Sequence, residues 1–211
     1  MLEFNPYEGK SFTYEWGYLN QNKEKENRTQ IVESNPGFVP GKYSGDKFFP
    51  CTPNGLFRER YPSKNTTNPY PHEGVDFEAS YGTGVYATIC GIVLAIKDQK
   101  DKHYGYHVLI HSDDGYIFLL GHLSSICVEI NQRITPNTLV AKVGNSGNCY
   151  TSGHKLTPDE RAKQLGAHLH LSVFKGKQIK DIYNAKEDSY TYSEKLVNPF
   201  NREHNWTKDL L

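Results

Sequence analysis

Apolar and polar residues alternate over several short stretches of this chain, which is the pattern of half-buried β-strands. Glycine, aspartate and asparagine separate these stretches, and Asp113-Asp114-Gly115 predicts a hairpin turn. The predicted strands are a turn and strand at 81–88, an apolar strand buried on both faces at 90–96, and alternating strands at 106–111, 116–120 and 168–173. Short strands punctuated in this way favour a mainly β fold of antiparallel sheets over a βαβ array.

One short helix is predicted between Thr157 and Gly166. Thr157 is a typical N-cap, Pro158 suits the first helical position, and Glu160 stands where a capping box needs an acid. Gly166 is a typical helix terminator. This helix therefore precedes the strand at 168–173 and flanks any cleft at the start of that strand.

Charge and length narrow the possible functions. Lysine plus arginine and aspartate plus glutamate both number 24, so the balance indicates neither a nucleic-acid partner nor an anionic membrane surface. No apolar run approaches the ~20 residues that a membrane helix needs. The start of the chain shows neither the basic nor the apolar region of a signal peptide. We expect one core with a small extension, and a monomer.

The cysteines are widely spread and form no Cys-x-x-Cys pair, so a cysteine-based zinc site is not expected. Cys90 and Cys127 lie in apolar runs, where we expect small buried hydrophobic side chains. Cys149 follows the glycine-rich loop 144–148 and can lie near a cleft, but we expect no chemical role for it.

The candidate chemistry is centred on His168 and His170. These residues are two apart in a predicted strand, so their side chains project from the same face. Two imidazoles buried on one face need a partner, and a divalent metal is the commonest one. The stretch 71–77 adds a histidine and a carboxylate, beside a glycine that permits a tight turn. Together the two stretches supply the three or four ligands of a catalytic zinc site.

The remaining histidines, taken singly, favour structural roles. His122 ends a predicted strand, where a lone histidine is usually a structural residue. His107 and His111 share a strand face but lie ~13 Å apart, too far to bind one ligand. Structural roles are also expected for His103, for His204 and for His154, although His154 can approach the cleft.

Several motifs together resemble a known family. His72-x-x-x-Asp76, Gly121-His122-Leu123-Ser124 and His168-Leu169-His170 occur in the order and context of the M23 zinc metallopeptidases, the lysostaphin/LytM-type peptidoglycan endopeptidases. The resemblance covers roughly residues 55–200. Further matching pieces are Gly74–Phe77, Gly82–Val85, Gly91–Val93, the hairpin at 111–115, Gly144–Asn148 and Val197–Pro199.

This resemblance implies a fold and a division of roles. The fold is an antiparallel β-sheet sandwich or open barrel of the M23 (duplicated hybrid motif) type, with short helices in loops. The family's metal ligands fall on His72, Asp76 and His170, which implies one zinc ion with a fourth position open for water. The family's two non-ligand catalytic histidines fall on His122 and His168, and which of them is the general base stays open.

The function implied by the resemblance is a zinc-dependent endopeptidase. It would hydrolyse peptide bonds in peptidoglycan stem peptides or cross-bridges through a metal-activated water. One alternative is a catalytically silent M23-like module that binds or activates at the cell wall. Another is a phage or virion component that degrades the wall, which the missing signal peptide suggests. The substrate implies an extracellular or cell-envelope location.

The chain departs from the family pattern at two places. Leu120 stands where the family often has a tyrosine, and Leu171-Ser172 replaces the common aromatic-acid pair after the last histidine. Neither change removes a ligand, so we expect the chemistry to be kept and substrate contacts to differ.

The predicted domain organisation has three parts. Residues 1–48 form a polar extension, either a linker on the surface or an arm over the cleft. Residues 49–205 form the peptidase domain, and 206–211 form a tail. Inserted loops near 154–165 and 176–196 are expected to line or wall the groove.

Overall fold

The computed structural model describes residues 12–19, 25–32, 36–44, 47–51, 53–55, 72–190, 195–197 and 199. The strands of the first part are β1 (Phe12–Leu19), β2 (Lys25–Val32), β3 (Phe38–Ser44), β4 (Lys47–Pro50), β5 (Pro53–Gly55), β6 (Val75–Glu78), β7 (Gly84–Ala87), β8 (Gly91–Asp98) and β9 (Tyr106–Ser112). Those of the second part are β10 (Tyr116–Gly121), β11 (Leu123–Ile126), β12 (Arg133–Ile134), β13 (Leu139–Val143), β14 (Tyr150–Thr151), β15 (His154–Lys155), β16 (His168–Lys175), β17 (Tyr183–Asn184), β18 (Ser189–Tyr190) and β19 (Leu196–Val197). The helix α1 spans Pro158–Ala162, and a 3₁₀ turn spans Ile179–Asp181.

Two antiparallel sheets carry the fold. The larger has eight strands in the order β12-β8-β9-β10-β16-β6-β5, with β19 added beside β16, and the smaller has the order β11-β13-β7-β3-β4. Smaller pairs are β1–β2, β14–β15 and β17–β18. The prediction of a mainly β fold of antiparallel sheets with short helices in loops is confirmed.

The main core lies between the two sheets, because its buried side chains come from both. Phe118 on β10 contributes from the larger sheet, and Phe38, Val85 and Val143 contribute from the smaller one. The rings of Phe38 and Phe118 meet edge to face with their centroids 5.1 Å apart. This contact joins the sheets near the middle of the sandwich.

Strand β3 belongs to the smaller sheet, although the sequence places it in the N-terminal extension. It pairs with β7 on one side and β4 on the other, and Phe38 and Val39 are fully buried. The folded domain therefore reaches upstream of residue 49, the predicted boundary, because β3 supplies both ladder hydrogen bonds and core side chains. That residues 1–48 form an arm over the cleft stays a prediction. The predicted tail at 206–211 lies outside the described residues.

Described residues of the predicted insertion at 176–196 pack on the outer face of the larger sheet. Leu119 and Phe174 point away from the main core and pack in a second cluster with Ile182 and Tyr190. Strand β10 is consequently buried on both faces, which explains its unbroken apolar sequence.

Two predictions of burial are wrong. The run 90–96 is not buried on both faces, because Ile92 is 41% exposed. It lies on β8 opposite Arg133 of β12 and alternates with the core residue Val93, so its side chain projects from the outer face of the sheet. Cys127 is exposed and Cys90 half-buried, so these cysteines are not core residues.

Helix α1 begins as the sequence predicts. The Thr157 hydroxyl accepts a hydrogen bond from the Glu160 N–H at 3.3 Å, and the Glu160 carboxylate accepts one from the Thr157 N–H at 2.9 Å. Gly166, in the left-handed conformation with φ +63°, comes directly before the residues that lead into β16. Among the described residues, no helix is long and apolar enough to cross a membrane.

Candidate metal centre and catalytic site

The register of β16 brings the predicted site residues to one place. Asp76 on β6 pairs directly with His170, and Gly121 at the end of β10 pairs with His170 from the other side. Directly opposite residues share a face of the sheet, so Asp76 and both histidines of β16 project together. His122 follows Gly121 and therefore lies next to them.

The side chains of His72, Asp76 and His170 converge. His72 Nε2 lies 3.3 Å from Asp76 Oδ1 and 3.2 Å from His170 Nδ1, and the last two atoms are 2.9 Å apart. Gly74 permits this approach, since a Cβ there would lie 2.7 Å from His170 Nε2 and 2.5 Å from the Leu171 carbonyl oxygen. The glycine predicted to allow a tight turn is thus needed for close packing against β16.

A hydrogen bond to Ser172 determines which nitrogen of His170 carries the lone pair. Ser172 Oγ donates to the Glu73 carbonyl at 2.9 Å, so it accepts from His170 Nε2 at 2.8 Å. The neutral His170 ring then faces Asp76 with the lone pair of Nδ1. Two acceptors 2.9 Å apart repel each other unless a proton or a metal cation lies between them. Two imidazoles and a carboxylate are the donor set of an open zinc site, so these residues fit a zinc ion.

His122 and His168 lie beside this centre, with ring centroids 4.7 Å apart. His122 has φ +61°, a left-handed conformation that is uncommon outside glycine, where the chain passes from the larger sheet to the smaller. His122 Nδ1 donates to the Ser146 carbonyl at 2.7 Å, and His168 Nδ1 donates to the Gly166 carbonyl at 2.9 Å. In the neutral rings Nε2 therefore carries the lone pair, and that of His168 lies 3.8 Å from Asp76 Oδ1.

Comparison with known proteins identifies the family. The family model described as Peptidase family M23 matches residues 70–182. The chain belongs to peptidase family M23. The predicted resemblance is therefore confirmed.

Curated M23-like relatives match over part of their length. The peptidoglycan DD-endopeptidase ShyA of Vibrio cholerae is 31% identical over 103 residues, which cover 49% of this chain and 20% of that protein. An uncharacterized metalloprotease of Buchnera aphidicola is 25% identical over 148 residues, covering 70% of this chain and 31% of that protein. This chain thus spans less than a third of the length of either relative.

Among solved structures, the chain is similar to the catalytic domain of a mutant of the prophage-encoded M23 protein EnpA from Enterococcus faecalis. The two are 20% identical, the match covers 76% of this chain and 95% of that chain, and the TM-score is 0.49.

Burial and neighbouring charges set the protonation states in the M23 site. Burial raises the pKa of Asp76, but the neighbouring His168 and the close contacts with His170 and His72 outweigh it and hold the pKa well below its ordinary range. Burial lowers the pKa of His122 well below its ordinary value, and His168 and His170 lower it further. Burial also lowers the pKa of His170, against the opposing effect of Asp76. An ionised carboxylate and neutral imidazoles are the forms that bind a metal cation.

Cys149 lies next to His122 and His168. One possible ligand atom from each of His122, Cys149 and His168 lies within 4.8 Å of the others. The thiol donates to the Ser146 carbonyl at 3.2 Å, and burial raises the pKa of Cys149 to about 12. The thiol is therefore protonated near neutral pH, where it is a poor nucleophile and a poor ligand.

Sequence reasoning missed Tyr104, which forms a wall of the site. Its ring centroid lies 5.1 Å from that of His170 and 6.3 Å from that of His122, and its hydroxyl donates to Glu73 Oε2 at 3.1 Å. No local pattern marks it, because it lies in the turn between β8 and β9. Leu120, at the position where the family often has a tyrosine, is fully buried in the main core.

Arg161 on the inserted helix holds the loop behind His122. Its guanidinium donates to the Asn145 carbonyl and, at 3.0 Å, to the Gly147 carbonyl. The Asn145 side chain donates back to the Arg161 carbonyl at 3.1 Å. These bonds flank Ser146, whose carbonyl orients the His122 ring. Helix α1 therefore holds the loop 145–147 that orients His122.

We expect Arg161→Gln to destabilise the domain by about 1–3 kcal/mol, because charge-assisted hydrogen bonds to two loop carbonyls are lost. Arg161→Lys keeps the charge but not the planar fork, so it should restore only part of that stability. Urea unfolding of the three proteins measures the effect. An unchanged urea midpoint in Arg161→Gln would show that these hydrogen bonds contribute nothing to the stability of the domain.

His107 supports Tyr104 from the interior, in keeping with a structural role. Its Nδ1 donates to the Gly105 carbonyl at 2.8 Å, and its Nε2 accepts from the Tyr190 hydroxyl at 2.6 Å. The Tyr104 and His107 ring centroids are 6.0 Å apart. Burial lowers the pKa of His107 from its ordinary value of 6.5 to about 4.

His107 should make the stability of the protein depend on pH. Between pH 6.5 and about 4 the unfolded chain binds a proton at His107 that the folded chain does not, so its contribution to stability is complete above pH 6.5 and falls as the pH decreases. We expect the loss of unfolding free energy between about pH 7.5 and about pH 5 to be about 2 kcal/mol smaller in His107→Gln than in the wild type. Urea unfolding at both pH values tests this, and equal losses in the two proteins would contradict it.

Proposed function

We propose that this M23 chain is a zinc-dependent endopeptidase that hydrolyses peptide bonds in peptidoglycan stem peptides or cross-bridges. The convergence of His72, Asp76 and His170 beside two further histidines carries the proposal. Membership of a peptidase family supports the reaction class, and the name of the relative ShyA supports the substrate.

One zinc ion would be held by His72 Nε2, Asp76 Oδ1 and His170 Nδ1. These three atoms lie 2.9 to 3.3 Å from one another, so a small displacement of each side chain admits an ion between them. Three protein ligands leave the fourth tetrahedral position open, which distinguishes a catalytic site from a structural one. When bound, zinc supplies a Lewis acid that polarises the scissile carbonyl and lowers the pKa of a water molecule to about 7.

His122 and His168 would transfer the protons. Each ring donates Nδ1–H to a backbone carbonyl, so each offers a basic Nε2. One ring accepts the proton of the attacking water and returns it to the leaving amine. The other, once protonated, donates Nε2–H to the developing oxyanion. Either His122 or His168 can be the general base, because the two rings make the same kind of hydrogen bond through Nδ1. In both cases neither ring binds the metal.

The proposed substrate places the reaction in the cell envelope or outside the cell, because peptidoglycan lies there. A relative that matches 76 residues, 36% of this chain, is named as an outer membrane antigenic lipoprotein of Histophilus somni, which supports an envelope location. A monomer and the absence of a nucleic-acid partner stay predictions.

Metal analysis combined with wall digestion tests the proposal. Purified protein should bind one zinc ion per chain and release new amino groups from purified walls, and mass spectrometry of the remaining muropeptides should identify the cleaved bond. Chelation should stop the release, and added zinc should restore it. Zinc binding without release from walls of several cross-link types would contradict an enzyme and favour the silent wall-binding module.

A further inference from the structure

We propose that Ser172 is a positioning residue that fixes the tautomer of His170 and thereby sets the zinc affinity of the site. The proposal rests on the metal site proposed above. It concerns a residue at which the chain departs from its family, since Ser172 replaces the common acid.

Ser172 lies behind the metal ligand and not in the groove. It shares the strand face of His170 two residues away, and it pairs with Leu119 on β10. Its side chain is fully buried. A fully buried side chain does not reach a substrate, and the Ser172 hydroxyl contacts His170 and the Glu73 carbonyl.

The chemistry of the Ser172 hydroxyl permits one arrangement of hydrogens. Its single hydrogen goes to the Glu73 carbonyl, which can only accept, so its oxygen lone pair receives the hydrogen on His170 Nε2. The neutral ring consequently has no hydrogen on Nδ1, the atom that lies 2.9 Å from Asp76 Oδ1 and 3.2 Å from His72 Nε2. Nδ1 is thus ready to bind a metal.

Loss of the hydroxyl would favour the competing tautomer. Without Ser172 Oγ, a hydrogen on His170 Nε2 would be buried without an acceptor, which costs free energy. A hydrogen on Nδ1 would instead be accepted by Asp76 Oδ1 at 2.9 Å. That hydrogen would occupy the space between two ligands and would have to be displaced by the metal.

Ser172 also joins the two parts of the metal site. Its hydrogen bond to the Glu73 carbonyl spans 99 positions of sequence and holds the backbone next to His72 against β16. One hydroxyl therefore orients His170 directly and restrains the segment that carries His72. Groups behind metal ligands typically change metal affinity by about 10–100-fold when they are removed.

The test compares Ser172→Ala with the wild type in two measurements. Long-range ¹H–¹⁵N correlation spectra of the metal-free protein report which nitrogen of His170 carries the hydrogen, and competition with a chelator measures the dissociation constant for zinc. We expect the wild type to carry the hydrogen on Nε2, and Ser172→Ala to move it toward Nδ1. We also expect zinc to bind about 10–100-fold more weakly to the variant.

Two further variants control for loss of packing. Ser112 is another fully buried serine, on β9, whose hydroxyl donates to the Asp114 carboxylate and accepts from the Tyr116 N–H at 3.2 Å. Ser112→Ala should leave both the His170 tautomer and the zinc affinity unchanged, and Ser172→Thr, which keeps the hydroxyl, should retain the wild-type tautomer. If Ser172→Ala does not fold, Ser172→Cys takes its place, because sulfur is a weaker acceptor of similar shape.

The outcomes separate this proposal from the proposed function. A wild-type tautomer in Ser172→Ala, or an altered tautomer with unchanged zinc affinity, would overturn the positioning role. A wild-type protein that binds no zinc would overturn the metal site, and with it the effect of Ser172 on zinc affinity, whereas the spectra of the metal-free protein would still decide the tautomer.

Discussion

Asp76→Ala should abolish both zinc binding and hydrolysis. The Asp76 carboxylate is the anionic member of the proposed ligand set and lies 2.9 Å from His170 Nδ1 and 3.3 Å from His72 Nε2. Its removal leaves two neutral imidazoles, which bind zinc poorly without a third ligand. We expect zinc to be absent after dialysis and activity on purified walls to fall by on the order of 10⁴-fold. His170→Ala should behave in the same way.

Glu129→Ala is the matched control for Asp76→Ala. Glu129 is an exposed acid between β11 and β12, outside the strands that carry the site residues, and its removal changes the net charge equally. Zinc content and activity should remain at wild-type levels in this variant. If Asp76→Ala retained one zinc ion per chain, as measured by mass spectrometry of the metal, the proposed ligand set would be wrong.

His122→Ala should separate metal binding from catalysis. The His122 ring lies beside the proposed ligands and its Nδ1 is held by the Ser146 carbonyl at 2.7 Å, and we propose that it transfers protons and does not bind the metal. We expect a full equivalent of zinc and an activity about 10²–10⁴-fold lower. The measurement is zinc content together with the rate of release of amino groups from purified walls.

The control for His122→Ala is His154→Ala. His154 is about half exposed on the inserted loop and contacts Glu160 at 3.0 Å, so its loss should affect neither zinc content nor rate. An empty metal site in His122→Ala would overturn the role assigned to His122, because a group outside the ligand set should not be required to hold the ion. Unchanged activity with full zinc would overturn its catalytic role instead.

Local sequence rules were sufficient for the elements around the site. The alternation in β16 correctly predicts a strand that carries His168 and His170 on one face, because side chains in a strand repeat every second residue. The capping box at Thr157 and Glu160 and the hairpin at Asp113–Gly115 also depend only on residues within a few positions, and the structure contains both. Burial was less predictable, as the exposed Ile92 shows, because it depends on what packs over each face of the sheet.

The sequence by itself determined the central strands around the site and the helix cap, because these depend on residue type and short-range periodicity, and the resemblance to the family assigned the candidate ligands. Only the tertiary structure decided that β3 joins the smaller sheet, that Tyr104 walls the site and that Ser172 holds His170 from behind. These features depend on contacts between distant positions, such as Asp76 with His170 across 94 residues. Strand register brings such positions together, and it follows from the packing of the whole sheet and not from any one segment.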